Sequence, residues 1–558
     1  MRKPILRQLF PIDSKVKPSA NKPGFLKKPG LFARRCLLLA RVLAAITITT
    51  STLQWHPLAA QTHVPPETLA KFHPRTTDQL IIKFASNTHA PEALTSQVAK
   101  LNSFTGLGLN DVGEASDGAH LLKLQQPLDA NQLNELLQRL RDNAVALGIE
   151  SVALDEIRYA SLAPNDASYS QQWDMQPTSG GSYGINATAA WDVTTGSANY
   201  AVAVVDTGVR LDHPDLAGRT VQGYDFVHDA QVGNDGSGRD TDPNDPGDWI
   251  TAAEAAAGYF AGCSPSSSSW HGTHVAGTIG AIGNNGTGVA GINWQSKILP
   301  VRVLGKCGGY DSDIIAGVRW AAGISISGVA ANKFPARVIN LSLGGYNSGC
   351  NPNNPDSSAC KCPAEWQSAI SEVVAKGVVV VVAAGNENVA ARAAVPNNCS
   401  GVISVAATNK QGNRASYSNY DSSVTVAAPG GESSDGILST VDSGVRQPAG
   451  PAYDEYAGTS MAAPHVAGIV SLMVSVNPSL TPAQLTQLLR SSITAFPAGS
   501  SCSTTTCGAG IANAASAVLA ARNSLPVTAT PAPTRTPGPT PTIDPTLTIK
   551  TYLPVALR

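Results

Sequence analysis

Charge is scarce in this 558-residue chain: Asp, Glu, Lys and Arg make up 14% of it, and 39 basic residues nearly balance 40 acidic ones. Binding to a polyanion needs a basic surplus, so nucleic acid is excluded as a partner. Long apolar runs are lacking too. The longest near the N-terminus, Cys36-Leu37-Leu38-Leu39-Ala40 and then residues 42–48, is broken by Arg41 and is too short to span a bilayer comfortably. Zinc spacing is also missing. Cys360-Lys361-Cys362 is a close pair, but no second cysteine pair or histidine stands at a matching interval.

What is present points to export. Lys27, Lys28, Arg34 and Arg35 precede the interrupted apolar run, and Ala59-Ala60 precede Gln61, so residues 1–60 read as a removed signal segment rather than an anchor. One of the nine cysteines, Cys36, falls there. The other eight (Cys263, Cys307, Cys350, Cys360, Cys362, Cys399, Cys502, Cys507) lie beyond residue 260, and an even count in an exported chain argues for disulfides. Spacing alone leaves their pairing open.

Residues 61–163 form a separate unit, with an α+β core at about 78–160. Segments 79–84 and 119–124 alternate like strands. Residues 131–147 carry leucines at helical spacing (Leu133, Leu136, Leu137, Leu140), and 152–159 close as a strand. Residues 164–525 alternate differently. Short apolar runs at 202–205, 298–303, 338–341, 378–383, 402–406 and 424–427 are separated by helical stretches at 272–282, 312–322 and 364–375, with another helix after residue 460. This is the pattern of a parallel sheet covered on both faces. Residues 526–548 are a Pro/Thr-rich linker and 549–558 a short apolar tail, a candidate for sorting or surface attachment or simply a frayed end.

Chemistry concentrates in three segments. Gly458-Thr459-Ser460-Met461-Ala462-Ala463-Pro464-His465-Val466-Ala467-Gly468 puts a serine at the start of a buried helix, where unpaired N–H groups favour developing negative charge. Alone, Ser460 would be read as a helix cap. The apolar run Ala201-Val202-Ala203-Val204-Val205 ends on Asp206, and His271 opens His271-Gly272-Thr273-His274-Val275-Ala276-Gly277. Carboxylate, imidazole and hydroxyl are the parts of an activated nucleophile.

These blocks, with Ala383-Ala384-Gly385-Asn386 as a fourth, resemble those of the subtilisin-like serine peptidases over roughly residues 165–522. The resemblance implies an α/β, three-layer catalytic domain with a mainly parallel sheet, preceded by a small α+β propeptide that inhibits it and assists its folding. It implies a secreted, self-processed zymogen acting on proteins and peptides as a monomer, through an acyl-enzyme and with broad specificity. Asp206, His271 and Ser460 would be the triad and Asn386 the oxyanion donor. Ser342-Leu343-Gly344-Gly345 and Gly308-Gly309-Tyr310 would be the walls pairing with substrate. Ala384, Gly385, Glu387 and Ala394 would border the pocket for the residue before the cut. Related secreted members suggest the pairs Cys263–Cys307, Cys362–Cys399 and Cys502–Cys507, leaving Cys350–Cys360.

The resemblance also implies structural calcium, held by Asp166, Asp215 and Asn285 with the carbonyls of Ile282, Thr287 and Val289. Asp235, Asp240, Asp242, Asp245 and Asp248 form a second candidate, with a plain acidic loop as the alternative. Two other functions stay open: a catalytically silent adhesion protein, suggested only by the stalk, and a processing protease of narrow specificity.

Overall fold

The computed structural model describes residues 78–85, 91–128, 130–155 and 163–525. The signal segment, the segment 156–162, the Pro/Thr-rich linker and the apolar tail lie outside the described residues.

The N-terminal unit is a four-stranded antiparallel sheet in the order β2-β3-β1-β4, from β1 (Gln79–Phe84), β2 (Leu109–Glu114), β3 (His120–Leu124) and β4 (Ile149–Leu154). Two helices, α1 (Pro91–Thr105) and α2 (Ala130–Asp142), accompany it, and Leu133, Leu136, Leu137 and Leu140 of α2 close one core with Leu80, Ile82 and Leu122. Two differences from expectation stand out. The closing strand is Ile149–Leu154 rather than 152–159, because Gly148, in the left-handed region, ends the helical stretch and starts the strand three residues earlier. The segment α1–β2 was not anticipated: α1 buries only Leu101 and Thr105, and β2 only its first residue.

The second unit is built on a nine-stranded sheet in the order β14-β15-β11-β10-β9-β8-β5-β7-β6. Its strands are β5 (Ala201–Asp206), β6 (Tyr224–Asp225), β7 (Lys297–Arg302), β8 (Ala336–Leu341), β9 (Val379–Ala383), β10 (Val402–Thr408), β11 (Val426–Pro429), β14 (Ile493–Thr494) and β15 (Ile511–Ala512). All pairings are parallel except β14 with β15. Both faces are covered, which is why β5 and β9 are buried at every position and read as unbroken apolar runs.

Alternation along β5 sorts its side chains. Val202 and Val204 pack into one core with α3 (His271–Gly280), α6 (Thr459–Val476) and α8 (Ala514–Asn523). Ala203 and Val205 pack into the other with α4 (Asp311–Ala321) and α5 (Ala364–Ala375). The result is the expected three-layer α/β arrangement. A hairpin of β12 (Ile437–Asp442) and β13 (Pro451–Tyr456), and helix α7 (Pro482–Ser491), complete it. Among the described residues, α6 is the one helix long and apolar enough to cross a membrane, and it is buried in the protein core.

Candidate active site

Asp206 is the last residue of β5, Ser342 follows β8, and Asn386 lies just past β9, so three neighbouring strands deliver functional groups to the same edge of the sheet. Two helices begin there: α3 with His271 and α6 with Ser460 in its first turn.

His271 Nδ1 lies 2.7 Å from Asp206 Oδ1, and both residues are buried. Since a carboxylate only accepts, Nδ1–H donates, leaving Nε2 as the basic nitrogen of the neutral ring. Burial alone would lower the His271 pKa. The Asp206 charge and hydrogen bond outweigh it and, with Asp248 and Asp245, raise it above 6.5.

Ser460 donates its hydroxyl to the Ser342 carbonyl at 3.2 Å. Gly458 lies two residues before it. A Cβ added there would sit 3.6 Å from both Ser460 N and Asn386 Nδ2, so these two donors border one space that a side chain would fill. Asn386 Oδ1 accepts from Thr459 N and Thr459 Oγ1, both at 2.8 Å, which orients the amide with Nδ2 as its outward donor. Gly385 N–H also donates to Thr459 Oγ1 at 3.1 Å. Gly385 has φ +104, and a Cβ there would clash with Asn419 Nδ2 at 2.3 Å.

Several residues expected to line the substrate groove already have partners within the protein. Gly345 exchanges N–H and carbonyl bonds with Val395 at 2.9 and 2.8 Å, so its main chain is already paired. Gly308 is likewise paired with Gly305. The Tyr310 hydroxyl pairs with that of Tyr259 at 2.8 Å. Ala384 and Gly385 have their main-chain groups already engaged. Glu387 Oε2 accepts from Asn386 N–H, Tyr346 Oη and Asn419 Nδ2 at 3.0, 2.7 and 2.9 Å, so one of its oxygens serves the protein rather than the pocket. Ala394 is buried beside Val395.

Four residues went unnoticed in the sequence. Thr207 donates to Asp245 Oδ2 at 2.6 Å and accepts from the Gly272 N–H at 3.0 Å, linking the end of β5 to the start of α3. Thr459 orients Asn386, and Asn419 braces Glu387. Asn340 donates to Ser342 Oγ at 2.9 Å. The last had a signal: it is the one polar residue between Val338 and Leu341.

The two acidic groups fare differently. Asp166, Asp215 and Asn285 converge: Asn285 Nδ2 donates to Asp215 Oδ1 at 2.9 Å, and Val289 N–H to Asp215 Oδ2 at 2.9 Å. Burial, and then the Asp215 charge, raise the Asp166 pKa, with backbone donors opposing. Asp166 Oδ1 is buried with no hydrogen-bond partner, as a carboxylate that lends an oxygen to a hard cation would be. The five loop aspartates do not share one point. Asp235 pairs with the buried Arg302, Asp240 and Asp242 turn onto their own loop, Asp245 faces Thr207, and Asp248 holds Ser269 N–H and Oγ at 2.6 and 2.8 Å. Among the described residues no cluster of three or more His, Cys, Asp or Glu could hold a metal, at Asp166 and Asp215 or in this loop, and the separate partners of the loop aspartates favour the plain acidic loop over a second calcium site.

Four disulfides are formed, Cys263–Cys307, Cys350–Cys360, Cys362–Cys399 and Cys502–Cys507, matching the pairing the resemblance implied.

Serine, imidazole and carboxylate at the C-terminal edge of a parallel sheet, beside two N–H donors, are the groups a serine hydrolase uses. Sequence comparison narrows this further. Residues 197–512 match the subtilase family (Peptidase S8). The "Extracellular protease" of Xanthomonas campestris pv. campestris is 41% identical over 492 residues, covering 86% of this chain and 79% of the relative. The "Extracellular basic protease" of Dichelobacter nodosus is 39% identical, covering 75% and 66%. A solved protease structure from Pseudoalteromonas arctica, at 45% identity and TM-score 0.58, covers 64% of this chain and all of its own. The chain belongs to the subtilase family of subtilisin-like serine peptidases and is a hydrolase of that kind.

Proposed function

We propose that this chain is an exported endopeptidase, made as a self-processed zymogen, with Asp206, His271 and Ser460 as its triad and Asn386 as its oxyanion donor. The observation carrying this reading is the 2.7 Å Asp206–His271 pair, with Ser460 N and Asn386 Nδ2 around the space left by Gly458. Ser460 Oγ attacks the scissile carbonyl while His271 Nε2 takes its proton and passes it to the leaving amine. Water then opens the acyl-enzyme with the same base. Asp206 holds the tautomer and stabilises the imidazolium. The oxyanion forms between Asn386 Nδ2 and Ser460 N–H; losing one such donor costs about 10²–10³ in rate.

Substrate adds as a strand between Ser342–Gly344 and Gly309–Tyr310, which favours broad sequence tolerance. The pocket bordered by Ala384, Gly385 and Ala394 suits medium to large apolar residues before the cut, and the remaining oxygen of Glu387 adds tolerance for Lys or Arg. A peptide library showing cleavage strictly after basic residues would sink this assignment.

Residues 61–163 act as the propeptide, and 157–163 as the first peptide cleaved. Both relatives are named extracellular, which supports export. With 526–548 as a stalk, the tail 549–558 would be placed for surface attachment. The orphaned Asp166 oxygen fits calcium, which Asp166, Asp215 and Asn285 would hold with the carbonyls of Ile282, Thr287 and Val289. Bound there, it would neutralise the two carboxylates and tie residue 166 to the 282–289 loop. The protease reading is tested with a fluorophosphonate probe. It should label wild type at Ser460 and leave Ser460→Ala unlabelled; wild type neither labelled nor active on peptides would refute it.

A further inference from the structure

Pro464 lies inside α6, four residues after Ser460. In an α-helix the N–H at position i+4 satisfies the carbonyl at i, and proline has none, so the Ser460 carbonyl loses its helical donor. Ser460 is 2% exposed, so bulk water is no easy substitute. The donor comes from the sheet instead: Ser342 Oγ–H donates to Ser460 O at 2.7 Å.

Ser342 is itself aimed. Its hydroxyl accepts Asn340 Nδ2–H at 2.9 Å, which leaves its own hydrogen for Ser460. Asn340 and Ser342 are 0% and 2% exposed. In the other direction Ser460 Oγ donates to the Ser342 carbonyl at 3.2 Å. Nucleophile and Ser342 therefore hold each other through both main chain and side chain. The proline exchanges a tie along the helix for a tie across to the strand edge.

We propose that the Ser342 hydroxyl, oriented by Asn340, is a positioning group for catalysis: it replaces the helix donor removed by Pro464 and sets the height of Ser460 against the substrate edge. This rests on the reading of Ser460 as nucleophile and of Ser342–Gly344 as the edge that pairs with substrate. Because nucleophile and edge are referenced to one residue, losing the tie misplaces attack without weakening binding. Small misplacements of this kind are costly in turnover.

A double-mutant cycle on the full chain, normalised by active-site titration, tests the proposal with Ser342→Ala, Pro464→Ala and the double variant. Ser342→Ala should lower kcat about tenfold or more with KM within about twofold, and slow fluorophosphonate labelling of Ser460 in step. Adding Pro464→Ala returns an N–H to the Ser460 carbonyl, so the double variant should recover most of that loss. Multiplicative losses in the double variant, or a loss carried by KM, would overturn the proposal. So would a fall in unfolding temperature with kcat intact. Should Ser342→Ala not fold, the double variant is compared with Pro464→Ala alone: equal kcat supports the proposal, and a further tenfold loss refutes it. A wild type that neither labels nor cleaves would overturn the protease reading and this one together; a non-coupled cycle in an active wild type overturns only this one.

Discussion

Asp166 and Asp215 reach one another from distant segments, whereas Asp235, Asp240, Asp242, Asp245 and Asp248 crowd a single loop. The loop has more carboxylates and no gathering point. Its aspartates turn onto the backbone two residues ahead: Asp235 onto Ser237 N–H, Asp240 onto Asp242, Asp242 onto Asn244 and Asp245 onto Gly247, at 2.7 to 3.1 Å. These are Asx turns, and they tie each of these carboxylates to its own stretch of loop. Asp166 also accepts one backbone N–H, from Asn284 at 2.6 Å, but keeps its other oxygen buried and unpartnered. The buried, unpartnered Asp166 oxygen and the convergence of distant segments, not carboxylate density, set the candidate cation site apart from the acidic loop. The loop has another use. Through Asp245 and Thr207 it braces the start of α3, and its charges raise the His271 pKa. One acidic group should therefore govern stability and the other catalysis.

Ser460→Ala sets the scale for that division. It should cost about 10⁶ in turnover, the magnitude known for subtilisin, and leave the chain joined to residues 61–160. Wild type should show a new N-terminus between about residues 161 and 166. Normal processing of purified Ser460→Ala, with no other protease present, would show that the cut is made elsewhere.

Chelation comes next. EDTA, or Asp166→Ala, should speed thermal inactivation about tenfold or more while initial kcat at 25 °C holds, because a cation that binds only the native state stabilises it by mass action. An inactivation rate indifferent to EDTA would break the comparison at its first member.

Asp245→Asn probes the other group and should act on pH dependence. His271 must be neutral to serve as base, so activity falls as pH drops through its raised pKa. Asp245 carries its charge only as pH rises through about 7, so removing it should move that acid limb of kcat/KM to lower pH by at most a fraction of a unit. Stability should respond with a definite sign. Burial first, then Asp248, push the Asp245 pKa from 3.8 to about 7. A carboxyl raised on folding contributes stability fully below its unfolded value, and loses it as pH climbs to the folded one. Between about pH 4 and 7 wild type should therefore lose more stability than Asp245→Asn. Parallel unfolding midpoints for the two proteins from pH 4 to 8 would refute the assignment.

The smallest effect is expected from Asp240→Ala with Asp242→Ala. Each removes an Asx turn near the surface, about 0.5 kcal/mol apiece, with EDTA sensitivity unchanged. A variant that becomes indifferent to EDTA would place calcium in the loop after all.

Much of the fold could be read from pattern because parallel strands buried on both faces are written as short apolar runs. β5, β7, β8, β9 and β10 lie within two residues of where those runs place them. α1, β2 and the β12–β13 hairpin could not be read that way. α1 and β2 bury few side chains, and β12 is buried at every position although its sequence, Ile437-Leu438-Ser439-Thr440-Val441-Asp442, mixes polar with apolar. There burial comes from the α3 contact, where Ser439 and Thr440 donate to the His274 and Thr273 carbonyls.

By itself the sequence marked the candidates for the chemistry, since a strand ending on Asp206 and helices opening on His271 and Ser460 are properties of short segments. It also determined that the eight cysteines beyond the signal segment could pair, without saying how. Only the tertiary structure decided what those residues rest on. Thr459 meets Asn386 across 73 positions, Ser342 meets Ser460 across 118, and Thr207 meets Asp245 across 38. Hydrogen bonds of that range leave no period in a sequence. They depend on strand order and on where each helix begins, and both are settled when the sheet buries its two faces together.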